Sequence, residues 1–336
     1  MNTKPTVTLI CFLMPLLAEA ATLDIYGELI GKNILRPSNL PRIRDSIISD
    51  LPADKTKAIA MFDDEFARSG IAVVQDGPHF VRLLGKEEEG YLLTNAPLRG
   101  AELRPPGGAA IPPGTMNIAS ADLDQVLRLY ASLSQRTVLR PAILPRTVVN
   151  LKTQFLLTRE ESVYALETVL ALNGICVVED GASFAQVVPM AQRAAVKPGA
   201  PKPEPAAALF YPDKAPSKGV PDSKTPLAKP ERTAQELARL KQAFYDFMHA
   251  PDPRSRSPQR LLELYGCLAD KKAVPSRDQD GTSLWFQIQT PLSKSELLYA
   301  IETTLTLNNF LIVPVDDQGI RLGHVGELEK GSEKRS

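Results

Sequence analysis

One phrase is written three times along this chain. The residues LETVLALNGICVVEDG cover 166–181, and a looser version, IETTLTLNNFLIVP, covers 301–314. A more divergent version, FDDEFARSGIAVVQDG, covers 62–77. Internal repetition constrains a fold strongly, because related stretches of one chain build the same supersecondary unit. The repetition therefore predicts one small unit built three times.

Three tyrosines anchor an alignment of the repeated segments that needs no gaps: Tyr26, Tyr130 and Tyr265. The first two segments then share the triplet LRP, at 35–37 and 139–141. The second and third share the pair Tyr-Ala, at 164–165 and 299–300. Each segment has about 65–75 residues, which lies at the small end of the range for protein domains.

The middle segment has the clearest secondary-structure signals. Apolar residues recur with a helical period over 122–134, and Ser120 stands where it can cap that helix. Residues 137–140 read as extended chain. Between 149 and 155 apolar and polar residues alternate, which predicts a strand with one buried and one wet face. We expect the order β-α-β-β-α-β, with two helices on one face of a small sheet.

The second helix of each segment has start and stop signals. Thr158 to Glu161 and Ser293 to Glu296 read as capping boxes, in which the first side chain and the last satisfy free backbone amides. The Asn-Gly pair ending at Gly174 reads as a helix stop, because glycine adopts a positive φ without a side-chain penalty. Gly70 and Asn309 occupy the equivalent positions.

The predicted fold class is α+β, with three repeated small units joined by proline-rich linkers. The predicted organisation is a signal peptide (1–20), a degenerate first repeat (21–85), a linker (86–114), a second repeat (115–190), a Pro/Lys/Ala-rich linker (191–231), a third repeat with an extra N-terminal helix (232–326) and a polar tail (327–336).

The first twenty residues predict export. Lys4 precedes an apolar run over 7–17, and Ala18-Glu19-Ala20 fits a small-x-small cleavage site. The apolar run is too short to span a bilayer comfortably, so we expect no membrane span after cleavage. The alternative interpretation is the start of a buried helix. Export predicts a periplasmic protein that reaches the outer membrane only through partners.

A search for chemistry finds few candidates. The formal net charge is zero, which argues against nucleic acid as a partner. His79, His249 and His324 lack the spacing of a helical metal site. Glu167 and Glu302 belong to different segments, which disfavours a catalytic carboxylate pair. We therefore predict no enzymatic activity, no cofactor and no metal.

The middle segment, from MNIASADLDQVLRLYA at 116–131 through LTREESVYALETVLALNG at 157–174 to the closing VVP at 187–189, resembles the periplasmic N-terminal domains of bacterial secretins. These are the ring proteins of type II secretion and type IV pili. The resemblance implies KH-like α+β modules that are non-catalytic and contact other envelope proteins. A secretin continues into a pore-forming β-rich region, whereas this chain ends after His324 in a polar tail. We therefore expect no channel.

The resulting prediction is a non-enzymatic periplasmic scaffold of a type II secretion-like or type IV pilus-like system. Its expected partners are a secretin or other secretion and pilus envelope proteins, together with further copies of the chain. The predicted contact residues on and beside the wet strand face are Arg140, Asn150, Lys152 and Gln154. The alternative function is a periplasmic glycan- or peptide-binding protein.

An isolated apolar cluster lies inside the second linker, in the stretch ALFYP at 208–212. Leu209, Phe210 and Tyr211 predict either a docking motif for another protein or a local contact with a neighbouring part of this chain. The sequence does not decide between the two alternatives.

Overall fold

The computed structural model has an α+β fold with several small sheets and helices. It describes residues 21–95, 98–100, 102–103, 110–201, 210–212, 229–249, 257–275 and 283–325. The predicted signal peptide and polar tail lie outside these residues. The chain forms two compact units, and their boundary falls inside the predicted second repeat. Unit 1 is Met1–Ser134 with Pro145–Cys176, and unit 2 is Gln135–Leu144 with Val177–Ser336.

The helices are α1 (residues 21–30), α2 (Lys55–Arg68), α3 (Glu89–Asn95), α4 (Leu123–Ser134), α5 (Arg159–Leu172), α6 (Lys229–Met248), α7 (Pro258–Ala269) and α8 (Lys294–Leu307). Two short 3₁₀ helices span Asp45–Asp50 and Met190–Ala195. The strands are β1 (Asn33–Leu35), β2 (Ile71–Asp76), β3 (Phe80–Gly85), β4 (Asn117–Asp122), β5 (Thr137–Leu139), β6 (Val148–Lys152), β7 (Ile175–Asp180), β8 (Phe184–Pro189), β9 (Lys272–Ala273), β10 (Phe310–Pro314) and β11 (Gly319–His324).

The same strand order recurs in three sheets: β1-β3-β2, β5-β8-β7 and β9-β11-β10. In each sheet a short strand lies parallel to the central one: β1 to β3, β5 to β8 and β9 to β11. A separate antiparallel pair, β4 with β6, has a bulge between Ile118 and Ala121. Ser120, inside that bulge, has a φ of 52°.

The capping boxes and the stop residues predicted for the second helix of the segments are confirmed. Both capping boxes form, at Thr158 for α5 and at Ser293 for α8. The three stop residues all have positive φ, at 73° for Gly70, 78° for Gly174 and 65° for Asn309. Each helix therefore ends where the sequence supplies a residue that tolerates a left-handed turn.

The cap predicted at Ser120 is wrong. Strand β4 continues through Ser120 to Asp122, and the Asp122 carboxylate instead accepts the Gln125 backbone N–H at 2.8 Å. Aspartate serves as an N-cap as well as serine does. With Asp122 in that role, α4 begins at Leu123, two residues later than a cap at Ser120 would place it.

In unit 1, α1 and α2 bury their apolar faces against the sheet of β1, β3 and β2. Tyr26 of α1 meets Phe66 of α2 edge-on, with ring centroids 4.8 Å apart. Ile71 and Leu83 from the sheet complete that core. Helices α4 and α5 pack on each other and against β6.

In unit 2, α7 packs against β9 and β11, while α8 packs against β10. The core between them includes Leu261, Leu297 and Ile320. Phe244 of α6 joins this core through a T-shaped contact with Phe210. Among the described helices of both units, none has the length and apolarity needed to cross a bilayer.

Candidate interaction surfaces

Helices α5 and α8 each contact the sheet of the preceding segment. Within unit 1, α5 packs against β1, and its Tyr164 ring lies 5.6 Å from Phe80. Within unit 2, α8 packs against β5, and its Tyr299 ring lies 5.5 Å from Phe184. Residues that align in sequence therefore make the same contact in each unit. We refer to both as helix-on-sheet contacts.

A buried polar cluster stands at the centre of the contact in unit 1, the Asp76 cluster (Asp76, Arg82 and Tyr164). The Arg82 guanidinium donates to the Asp76 carboxylate at 2.6 Å, and neither side chain is accessible to solvent. Tyr164 donates its hydroxyl proton to Asp76 at 2.6 Å. The Gly100 backbone N–H also donates to Asp76. Burial, followed by the bond to Asp76, raises the pKa of Tyr164.

Unit 2 has an equivalent, the Asp180 cluster (Asp180, Gln186 and Tyr299). The Gln186 amide donates to Asp180 at 2.7 Å, and Tyr299 donates its hydroxyl proton to the same carboxylate. The backbone N–H groups of Gly199 and Ala200 donate to the other oxygen, each at 2.9 Å. Burial and the bond to Asp180 raise the pKa of Tyr299 to about 12.

The capping-box glutamates serve a second purpose at the edge of each contact. In unit 1, Glu161 pairs with His79 in the turn between β2 and β3. In unit 2, Ser183 in the turn between β7 and β8 donates to Glu296 at 2.6 Å. One residue thus caps its own helix and holds the hairpin of the preceding segment.

The asparagines at the helix stops act in the same way. Asn173 caps α5, and its Oδ1 accepts the Ser38 backbone N–H at 2.9 Å within unit 1. Asn308 caps α8, and its Oδ1 accepts the Ala142 backbone N–H at 2.5 Å within unit 2. The asparagine of the repeated phrase therefore both ends a helix and joins two segments.

A tyrosine and a carboxylate also link the two helices of each segment. The pairs are Tyr26 with Asp63 (2.8 Å), Tyr130 with Glu167 (2.9 Å) and Tyr265 with Glu302 (2.5 Å). In every pair the two residues are 37 positions apart. The glutamates considered above as a catalytic pair are therefore acceptors for tyrosine hydroxyls. Burial and the neighbouring carboxylate raise the pKa of Tyr26 and Tyr265.

Three of the predicted contact residues line one narrow cleft in unit 1. Lys152 pairs with Asp24 of α1 at 2.5 Å, and Gln154 donates to the Asp24 carbonyl at 2.7 Å. Asn150 accepts the Ser120 backbone N–H at 2.8 Å. The cleft holds about 120 Å³. The strand face predicted to be wet is therefore partly covered by α1, although Lys152 keeps 47% of its side chain exposed.

Arg140 is nearly buried, with 7% of its surface exposed. Its guanidinium carbon lies 4.9 Å from the centre of the Trp285 ring, a cation–π geometry within unit 2. The position predicted for a contact with another protein is thus engaged with a residue of this chain.

Phe210 is fully buried in the core of unit 2, and its backbone exchanges hydrogen bonds with Leu292 at 2.7 and 3.1 Å. Tyr211 beside it is half-buried, and Leu209 lies outside the described residues. The burial of Phe210 favours a local contact, one of the two alternatives raised by its sequence, over a docking motif.

The sequence patterns did not predict the Asp76 cluster or the Asp180 cluster. Their only signals were aligned identities: an aspartate at the end of two copies of the repeated phrase, and the Tyr-Ala pair in two segments. Within the part of the chain that the structure describes, no three His, Cys, Asp or Glu side chains stand close enough to hold a metal ion.

Unit 2 contains a larger cleft between β8, the 3₁₀ helix Met190–Ala195 and α8, of about 410 Å³. Val188, Val196 and Leu307 supply apolar lining, and Tyr299 and Glu302 supply polar groups. Searches of protein-family models, of curated proteins and of solved structures found no match to this chain.

Proposed function

We propose that this chain is a non-enzymatic scaffold that works by protein–protein contact, built from three KH-like modules. The support comes from the two helix-on-sheet contacts, which use aligned residues in each unit. A module whose helix side and sheet side both accept neighbours is suited to assembly. The buried polar residues Asp76, Arg82 and Tyr164 form hydrogen bonds with one another within such a contact.

The observation that carries the proposal is the recurrence of the buried carboxylate. Burying a charge costs several kcal/mol unless it is fully hydrogen-bonded, so a recurring buried carboxylate marks a contact of fixed geometry. Asp76 and Asp180 each accept from a strand residue, from a helix tyrosine and from the backbone of the stretch that follows their own sheet in sequence.

The proposed setting is the periplasm, in a type II secretion-like or type IV pilus-like system. This part of the proposal rests on the export signal read in residues 1–20 and on the likeness of residues 116–189 to secretin N-terminal domains. The expected partners are a secretin or another secretion or pilus envelope protein, with the chain in one or more copies.

Affinity capture from envelope extracts of the producing cell tests the proposal. The tagged full chain should recover a secretin-like or pilus component at low salt. Lys152→Ala tests the predicted contact face, and Lys57→Ala on the exposed surface of α2 is the matched control. Recovery of neither kind of component, or location of the protein in the cytosol on fractionation, would contradict the proposal.

A second candidate, glycan or peptide binding, is favoured by the cleft beside α8, whose volume of about 410 Å³ lies in the range of small-ligand sites. A thermal-shift screen against envelope glycans and short peptides tests it. Thr306 lines the cleft and is exposed, so Thr306→Trp should fill the site and abolish any ligand-induced shift. A shift that survives this substitution would rule out the cleft.

A further inference from the structure

The third sheet, β9-β11-β10, differs from the other two in what covers it. Arg82 and Gln186 occupy aligned positions on β3 and β8, and both are buried, with 0% and 4% of their surfaces exposed. Arg321 occupies the same position on β11 and is exposed. Arg82 and Gln186 lie beneath α5 and α8. The corresponding face of the third sheet has no such helix among the described residues.

The strand register defines this outer face. Val313 stands opposite Arg321, and Leu311 opposite Gly323, so these residues share one side of the sheet. The other side holds Leu322, which is buried in the core of unit 2. Val315 continues the exposed side and keeps 52% of its surface accessible. We call Leu311, Val313, Val315, Lys272 and Arg321 the outer face of the third sheet.

The outer face combines an apolar strip with the cations Lys272 and Arg321, and the Asp316 carboxylate of the turn between β10 and β11 lies within electrostatic reach of Lys272. Leu311 and Val313 are half-buried, and Val315 is exposed. Lys272 stands opposite Gly319 and therefore on the same side as Arg321. Among the described residues, neither Lys272 nor Arg321 has a carboxylate within ion-pair distance. In the described part of the chain, Arg321 has a long 3.4 Å contact to the backbone carbonyl of Leu322.

A second copy of this chain offers a poor occupant. The helix that would have to dock is α2, since it aligns with α5 and α8. Lys57 of α2 stands where those helices carry the capping-box glutamate, and Ala60 stands where they carry the tyrosine. Both residues are exposed. Lys57 would lie over the turn between β10 and β11, as Glu161 lies over His79, and Ala60 would bring no acceptor to Arg321.

We propose that the outer face of the third sheet docks an amphipathic helix of a different protein, one that presents a carboxylate to Arg321 and Lys272. The inference rests on the proposed scaffold function and names the surface and the partner chemistry. The precedent lies within the chain, where the two other sheets accept a helix on the same face. The charge of the outer face selects an acidic helix, since complementary charge sets specificity.

Site-specific photocrosslinking in the producing cell tests the proposal with the full chain. Benzoylphenylalanine replaces Val315 on the outer face or, as the matched control, Ala60 on α2. The expected result is a crosslink from position 315 to a helical segment of another protein with an acidic residue near the crosslinked position. Arg321→Glu should lower its yield by at least about fivefold, while Arg321→Lys keeps it within about twofold.

Three outcomes would overturn the inference: no crosslink from position 315, a crosslink to another copy of the chain, or a yield indifferent to Arg321→Glu. The proposed function is judged separately by affinity capture. Capture of a secretion or pilus component without a crosslink at 315 would reject this face alone. Failure of both experiments would reject the scaffold function as well.

Discussion

The Asp76 and Asp180 clusters solve one problem in two ways. Each buries an aspartate beneath a helix tyrosine, but the strand partner is the cation Arg82 in unit 1 and the neutral amide Gln186 in unit 2. The Asp180 cluster instead has two backbone N–H donors, from Gly199 and Ala200. A buried carboxylate can therefore be held by an ion pair or by neutral donors alone, and the two solutions should fail differently.

The largest expected effect separates the two clusters. Arg82→Met leaves a buried carboxylate without its cation and should lower the free energy of unfolding by about 3–5 kcal/mol. Gln186→Met removes a neutral donor while Gly199 and Ala200 remain, and should cost about 1–3 kcal/mol. Urea unfolding, monitored by hydrogen exchange in each unit, measures both losses in the free energy of unfolding. Arg82→Gln, which copies the second cluster into the first, should cost less than Arg82→Met. Equal losses at the two sites would contradict the comparison.

The tyrosines give a pH-dependent test. Burial and Asp180 raise the pKa of Tyr299 from 10.0 to about 12 in the folded protein. The folded state then holds a proton that the unfolded state releases, so this contribution is full below pH 10 and is lost as the pH rises towards 12.

The measurement is the free energy of unfolding, followed from neutral pH to about pH 12 together with tyrosinate absorbance. Tyr299→Phe and Tyr164→Phe should each flatten the fall in stability above pH 10, and each should cost about 1–3 kcal/mol at neutral pH. A fall in stability that begins well below pH 10, or that both variants leave unchanged, would contradict the assignment.

The capping boxes should behave alike in the two units. Thr158→Ala and Ser293→Ala each remove one side-chain acceptor and should cost about 1 kcal/mol. Thr158→Ser is the conservative control and should recover most of the loss. Circular dichroism during urea unfolding provides the measurement, and a loss confined to one unit would break the equivalence.

The smallest expected effect concerns the helix stops. Gly174 and Asn309 both have positive φ, but only asparagine carries a side chain into that region. Asn309→Gly should stabilise the protein by about 0.5 kcal/mol, and the reciprocal Gly174→Asn should destabilise it by a similar amount. Changes of the same sign at both sites would refute this account of the stops.

Local features were predictable from the sequence. The capping boxes at Thr158 and Ser293 and the stops at Gly174 and Asn309 depend on residues within one helical turn, so short patterns suffice to find them. The prediction at Ser120 failed because a bulge carried the strand past it, and a pattern of apolar residues cannot register one extra residue.

The contacts between segments were not predictable. Tyr164 and Asp76 are 88 positions apart, and only packing brings them together. The alternation over 149–155 correctly separated a buried face from a polar one within β6, but the strand ends at Lys152 and leaves Gln154 outside it. The alternation also did not indicate that α1 partly covers Lys152 and Gln154. A polar strand face contacts either solvent or a polar neighbour, and the spacing of its residues is the same in both cases.

The Asp76 cluster joins two of the aligned sequence segments within one compact unit. Its carboxylate and guanidinium meet Tyr164, which belongs to the next segment. A recombinant fragment that ends with the first segment would leave Asp76 and Arg82 without the Tyr164 side chain that covers them. Fragments intended to fold should therefore extend through α5, whose Tyr164 completes the hydrogen bonding of Asp76.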